Sequence, residues 1–415
     1  MQPASTSAPA PIVIPGPDGL PAAVPHLLGF HPSRSLVLLG IDRDSLRVRV
    51  TLRFDLPEPV VDPLDTADAW TSTFGALHQA GAVRTIVLLY PGPDEDPWVA
   101  PWPHALPRGA LVSAFADELT DAGLRPIDAV CVVGDRVRSY WCDSDTCCPP
   151  EGRVVPLSQS LAVEAEMVGL GSAPLESREA LEAAHRPLPL DDPFVELMAQ
   201  TLRARRDRVH ESDLDAVRST LAWLSGRARG LALFDHDSVV DLVLVCSRVR
   251  SRDLLLRALT VDAGAEARLE AREWLLLAAR SVPDEYVAPV ASVLAVCAWL
   301  RGDGAAARVA VERALDVDPA YSLAALLSAA LDAGTPPWTW QAMMADLSEA
   351  EILAGSRDRS EAVVADYLDV PDEIDDPDSD LSDCERLDRR PARFDDDDDD
   401  VLDDVLDDGL EDDLG

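Results

Sequence analysis

Residues 24–57, VPHLLGFHPSRSLVLLGIDRDSLRVRVTLRFDLP, decide how the rest of the chain is read. A loop rich in Pro, His and Gly leads into an apolar run at 35–41, a polar turn at 42–45 and an alternating run at 46–54. An unbroken apolar run followed by period-two alternation across a short polar turn predicts a β-hairpin whose first strand is buried on both faces. Such a strand needs further strands beside it and helices over it.

The following residues supply both. Helical spacing covers 66–80 and 109–122, and two nearly continuous apolar runs, VRTIVLLY at 83–90 and IDAVCVVG at 127–134, read as buried strands. Buried strands joined through a helix predict a parallel, right-handed βαβ unit. RVRSYWC at 136–142 alternates and predicts an antiparallel return. The expected fold of 20–157 is an α/β domain with a mixed ββαβαββ sheet, behind a flexible lead at 1–19.

From residue 158 helical periodicity takes over. Helices are expected at 177–184, 193–209, 213–228, 239–259, 266–281, 286–300, 305–315 and 322–331, giving a helical connector at 158–190, a helical domain at 191–345 and a short helical extension at 346–368. Ala271, Leu275, Ala278 and Pro283 recur as Ala307, Val311, Ala314 and Pro319, an offset of about 36 residues, close to the tetratricopeptide period. Small residues at that spacing let paired helices approach, and Gly302 permits a tight turn between them. The pattern predicts an all-α C-terminal domain with tetratricopeptide-like helical hairpins, or an ordinary bundle that shares the spacing.

The formal net charge is −39. Residues 369–415 hold 23 acids against 4 arginines, so about half of that charge belongs to an acidic tail that cannot bury enough apolar surface to order itself. Within it Leu402, Val405, Leu406 and Leu410 keep a three-to-four spacing that suits folding in a partner's groove, the alternative being a solubilising tail. The chain has no lysine, and all 36 basic residues are arginine. That excludes Schiff-base lysine chemistry, the Walker-type phosphate lysine and the protein-kinase lysine. An acidic chain repels phosphate backbones, and nucleic-acid binding is not expected. The start of the chain has neither a basic nor an apolar segment of secretory type, and no run approaches about 18 apolar residues, so no membrane span is expected. Seven cysteines, an odd number, point to a reducing cytoplasm.

Pro25-His26-Leu27-Leu28-Gly29-Phe30-His31-Pro32, with Ser35-Leu36-Val37 and Arg53-Phe54-Asp55-Leu56-Pro57, resembles the opening signature of an actinobacterial family, domain of unknown function 4192. The resemblance continues at Cys142, Cys147-Cys148-Pro149 and Glu151-Gly152, and at Gly302-Asp303-Gly304, Asp318-Pro319 and Ser322-Leu323-Ala324, covering about residues 20–340. It implies grouping and compartment and carries no activity with it.

Three places hold candidate chemistry. Cys142, Cys147 and Cys148 lie within seven residues after a strand, where they suit a soft metal such as zinc, a reversible disulfide from Cys142 to Cys147 or Cys148, or plain packing. A fourth metal ligand would come from His26, His31 or Asp145. The loop with His26, Gly29, Phe30, His31, Ser33 and Ser35 is either a site mounted beside the central strand or a rigid turn whose Phe30 plugs the core. Asp94, Glu95, Asp96 and Asp135 follow the two parallel strands and are expected at the carboxyl edge of the sheet, where α/β ligand crevices form, with the cysteine loop at the opposite edge. The first functional reading is a non-enzymatic protein-interaction or regulatory module with a protein partner. The alternatives are a redox- or metal-responsive protein using the cysteine loop, and an enzyme with its site at His26 to Ser35.

Overall fold

The computed structural model describes residues 19–43, 47–58, 61–95, 106–169, 172–205, 213–230 and 235–354, all within one unit, Met1–Glu361. At its centre is a six-stranded mixed sheet in the order β2-β1-β3-β4-β5-β6. The strands are β1 (Ser35–Ile41), β2 (Val48–Asp55), β3 (Arg84–Tyr90), β4 (Arg125–Val133), β5 (Arg136–Ser139) and β6 (Arg153–Val154). β1 is antiparallel to both β2 and β3, whereas β3 and β4 are parallel with Leu88 opposite Val130. The expected hairpin, βαβ unit and antiparallel return are therefore present. β6, only two residues long, was not expected; it pairs with β5 through Arg136↔Val154 and Val137↔Arg153.

Further corrections concern helices. The stretch before β1 is not a loop but a helix, α1 (Leu20–Leu28), whose buried Leu20, Ala23, Val24 and Leu28 lie on one face. Pro21 falls in its first turn, where no donor is needed, and Pro25 costs a bond only to the carbonyl of Pro21. Gly29 ends the helix at φ 78°. The helix expected at 66–80 is split into α2 (Pro63–Trp70) and α3 (Phe74–Gln79) by a tight turn at Thr71–Thr73. There Thr71 Oγ1 donates to Asp68 O and Thr73 Oγ1 to Trp70 O, each at 2.7 Å, and such bonds compete with the helical pattern.

α4 (Gly109–Asp121) joins β3 to β4. One sheet face, with Leu36, Leu38, Val87 and Leu89, packs under α2, α3 and α4 around Phe115, whose ring meets Phe54, Trp70 and Phe74 edge-on at 5.4–5.6 Å. The opposite face, with Val37, Leu39, Leu88, Tyr90, Val130 and Val132, belongs to one apolar cluster that continues through the helices of the C-terminal half.

These helices are α5 (Leu157–Gly169), which packs on α1, then α6 (Arg178–His185), α7 (Pro193–Arg205), α8 (Asp213–Ala228), α9 (His236–Ser247), α10 (Val249–Arg257), α11 (Ala265–Ser281), α12 (Asp284–Leu300), α13 (Gly304–Val317), α14 (Ser322–Asp332), α15 (Pro337–Asp346) and α16 (Glu349–Ala354). The single helix expected at 239–259 is broken at Arg248, which is extended. Ser247 Oγ donates back to Val243 O, and Ser251 Oγ donates to Val245 O, one of the carbonyls that the break leaves without a helical partner. The repeat positions Ala271, Leu275 and Ala278 in α11, and Ala307, Val311 and Ala314 in α13, are all fully buried. Pro283 and Pro319 stand just before α12 and α14. Gly302, at φ 82°, makes the turn into α13 as expected. Every residue of α12 from Tyr286 to Trp299 is buried, and α9, α11, α13 and α14 pack around it, so this helix is the axis of a bundle. Among the described residues no helix is long and apolar enough to cross a membrane.

Candidate functional site

The signature residues divide between two elements and a joint. His26 sits in the last turn of α1 and its Nδ1 lies 3.0 Å from Ser172 Oγ; burial holds its pKa below the ordinary histidine value. Phe30 is buried and bridges to Leu175, with the backbone bonds His31 N to Leu175 O at 3.0 Å and Leu175 N to Gly29 O at 2.9 Å. The side chains of His31 and Ser33 are exposed. Ser35 is buried at the start of β1, donates to Ser33 O at 2.7 Å and accepts from Arg53 Nε at 2.9 Å. Its proton and its acceptor are both engaged, and no imidazole takes part in either bond. That arrangement locks a turn; it does not activate a hydroxyl.

Gly29 explains why the turn has its sequence. A Cβ there would stand 3.3 Å from Asp303 Oδ1 and would need φ 78°. Asp303 is itself occupied, capping α13 through Ala306 N at 3.0 Å and facing Arg272 at 3.6 Å. Two stretches that carry the family resemblance, the one around Gly29 and the one around Gly302-Asp303-Gly304, thus touch. Arg53 completes the joint, its guanidinium 5.6 Å over the Phe30 ring and bonded to Asp55.

Of the four acids expected at the carboxyl edge, Asp94 and Glu95 lie in the turn after β3, and each is held by an arginine. Asp94 pairs with Arg34 at 2.6 Å, and Glu95 receives both Nε and a terminal nitrogen of Arg108 at 2.8 Å. Arg34 and Arg108 are the two non-glycine residues with positive φ among the described residues, at 44° and 57°. Asp135 lies apart from these pairs in the exposed β4–β5 turn, its carbonyl accepting from Val155 N at 2.8 Å. Asp96 lies outside the described residues, as do Leu402, Val405, Leu406 and Leu410. Arg53, Arg108 and Asp303 were not singled out in the sequence as site residues, because their partners are set by the fold and not by spacing.

The cysteines do converge. Cys142 Sγ is 3.1 Å from Cys147 Sγ, which is 3.5 Å from Cys148 Sγ, and all three sulfurs lie within 4.8 Å of one another. The loop closes because Cys147 N and Cys148 N both donate to Ser144 O, at 3.2 and 2.8 Å, folding the two later cysteines back toward the first. Cys148 is buried, Cys142 half-buried and Cys147 exposed, and all three are free thiols. The hydrogen bond between the Cys142 and Cys147 thiols, with the Ser144 backbone, holds the Cys142 pKa below its ordinary value, and the same bond pushes Cys147 up to about 12. β5 carries the chain away from the edge that holds Asp94 and Asp135, so the thiols form a cluster of their own. None of His26, His31 and Asp145 joins it. Cys131, Cys246 and Cys297 are buried, as apolar runs predict.

A mixed α/β sheet sharing one apolar core with a helical bundle, and carrying an accessible three-thiol loop, defines the class of this protein. The chain belongs to the family described as domain of unknown function (DUF4192), whose sequence model matches residues 17–338. No curated protein and no solved structure matches the chain.

Proposed function

We propose that this is a regulatory protein of a reducing cytoplasm whose responsive element is the Cys142–Cys148 loop. The observation that carries this reading is the convergence of three sulfurs within 4.8 Å on a loop where one thiol is exposed and one is half-buried. Cysteines buried in apolar surroundings are inert, whereas thiols gathered at a surface loop are accessible to react together. The experiment is oxidation of the full chain with the diazene reagent diamide. Cys142 and Cys147 lose two electrons and two protons as the disulfide forms, and the diazene leaves as the hydrazine. Peptide mass spectrometry is expected to find the Cys142–Cys147 link, formed before any bond to Cys131, Cys246 or Cys297. Oxidation that spares this pair would overturn the reading.

A second reading, a scaffold that engages a protein partner through tetratricopeptide-like hairpins, is supported by the equal burial of 271, 275 and 278 with 307, 311 and 314. In that reading α11 with α12 and α13 with α14 are successive hairpins, and the partner meets their outer faces, since α12 is enclosed. Cross-linking and capture with the full chain, before and after oxidation, tests whether a partner depends on the state of the thiols.

A further inference from the structure

Two groups of metal-ligating side chains occur among the described residues: the three thiols, and Asp235, His236 and Asp237. The second group is already engaged. Asp235 caps α9 through Asp237 N and accepts from Ser238 Oγ, His236 Nε2 lies 3.1 Å from Asp237, and Arg205 pairs with Asp237 at 2.9 Å. A cation there would have to displace a guanidinium. The three thiols contact one another, Cys142 Sγ to Cys147 Sγ at 3.1 Å and Cys147 Sγ to Cys148 Sγ at 3.5 Å, and among the described residues their group includes no cationic side chain.

We propose that Cys142, Cys147 and Cys148 bind one thiophilic d10 metal ion, Zn2+ or Cu+, as three thiolates, with the remaining position open on the side of the exposed Cys147. This rests on the reading of the loop as the responsive element and names its ligand. With zinc–sulfur bonds of about 2.3 Å, a tetrahedral ion sets its sulfurs about 3.8 Å apart. The observed separations of 3.1 and 3.5 Å reach that spacing with movements below about 1 Å, within the freedom of cysteine side chains on a surface turn. Soft sulfur donors select Zn2+ and Cu+ over Mg2+ and Ca2+, which take oxygen. Binding is balanced by proton release: three S–H bonds break, three metal–sulfur bonds form and three protons leave to solvent, with no change of oxidation state. The ion takes three protein ligands, and the remaining position is taken by water or an incoming group.

The test uses the reduced full chain. Zn2+ and Cu+ are each titrated against a chromophoric chelator, and Co2+ is added as a spectroscopic stand-in for zinc. One equivalent is expected to bind, with Co2+ giving sulfur-to-metal charge-transfer absorption. Cys142→Ser and Cys147→Ser are each expected to weaken binding at least about 100-fold, and Cys131→Ser to leave it unchanged. Cys142 and Cys147 carry the decision because they are not buried, and circular dichroism is to be recorded on each variant to check its fold. The relative affinities of Zn2+ and Cu+ identify which ion the site takes. If neither ion binds, or if Cys142→Ser and Cys147→Ser bind as tightly as the parent chain, the metal proposal is overturned. If that happens while diamide still links Cys142 to Cys147, the thiols converge and the metal proposal alone fails; if the link is also absent, the responsive-loop reading fails with it.

Discussion

Replacing Gly29 with alanine tests whether the signature turn is a joint between the sheet half and the helical half. Two costs add. An L-residue at φ 78° loses about 1 kcal/mol or somewhat more. The new Cβ also meets Asp303 Oδ1 at 3.3 Å, and displacing that carboxylate weakens the cap on α13, worth about 0.5–2 kcal/mol. Gly29→Ala is therefore expected to lose about 1.5–3 kcal/mol. Gly81 is the control: it has φ 74°, and nothing lies within 4 Å of its missing Cβ, so Gly81→Ala carries the backbone cost alone. The assay is urea unfolding followed by circular dichroism, with a double-mutant cycle of Gly29→Ala and Asp303→Ala. Once Asp303 is removed, Gly29→Ala should cost no more than Gly81→Ala. Equal losses for Gly29→Ala and Gly81→Ala in the parent chain, or strict additivity in the cycle, would refute the contact.

Ala314 is fully buried where α13 packs on α12, so Ala314→Leu is expected to overpack and lose about 1–3 kcal/mol in the same assay. The Tyr321 hydroxyl oxygen accepts a hydrogen bond from the Arg252 guanidinium at 2.7 Å, and Tyr321→Phe should lose about 1.5–3 kcal/mol. His185 is buried and its pKa is lowered, first by desolvation, so the neutral ring is the folded form. Its contribution is full above the unfolded value near 6.5 and is lost as pH falls through the lower folded value. The thermal midpoint should therefore fall more steeply below pH 6.5 in the parent chain than in His185→Gln, and identical pH profiles would dismiss the effect.

The parts of the fold that local pattern controls were legible. β1 is a continuous apolar run, β2 alternates, and VRTIVLLY and IDAVCVVG became β3 and β4 because nothing but a buried sheet accommodates them. What stayed hidden depended on neighbours remote in sequence. α1 carries two prolines that locally argue against a helix, and its stability comes from Ala23 packed on Val163 and Met167 of α5. β6 is two residues long and exists through its pairing with β5. The cysteine cluster was readable because its three members are close in sequence, so the fold had only to close a turn at Ser144. The joint of Gly29 with Asp303 was not, since a glycine in a Pro-rich turn has many explanations until its neighbour is seen.

The most direct test of the responsive-loop assignment is mass spectrometry of the full chain purified without added metal or chelator and alkylated in its native state, with and without chelator and with and without oxidant. Cys142 and Cys147 are expected to be shielded together, to become reactive when the chelator removes the ion, and to become unreactive again when oxidant links them, with metal content tracking the first change. If all three thiols of the loop are free from the outset, metal-free and indifferent to oxidant, the loop is a packing element and the assignment is wrong.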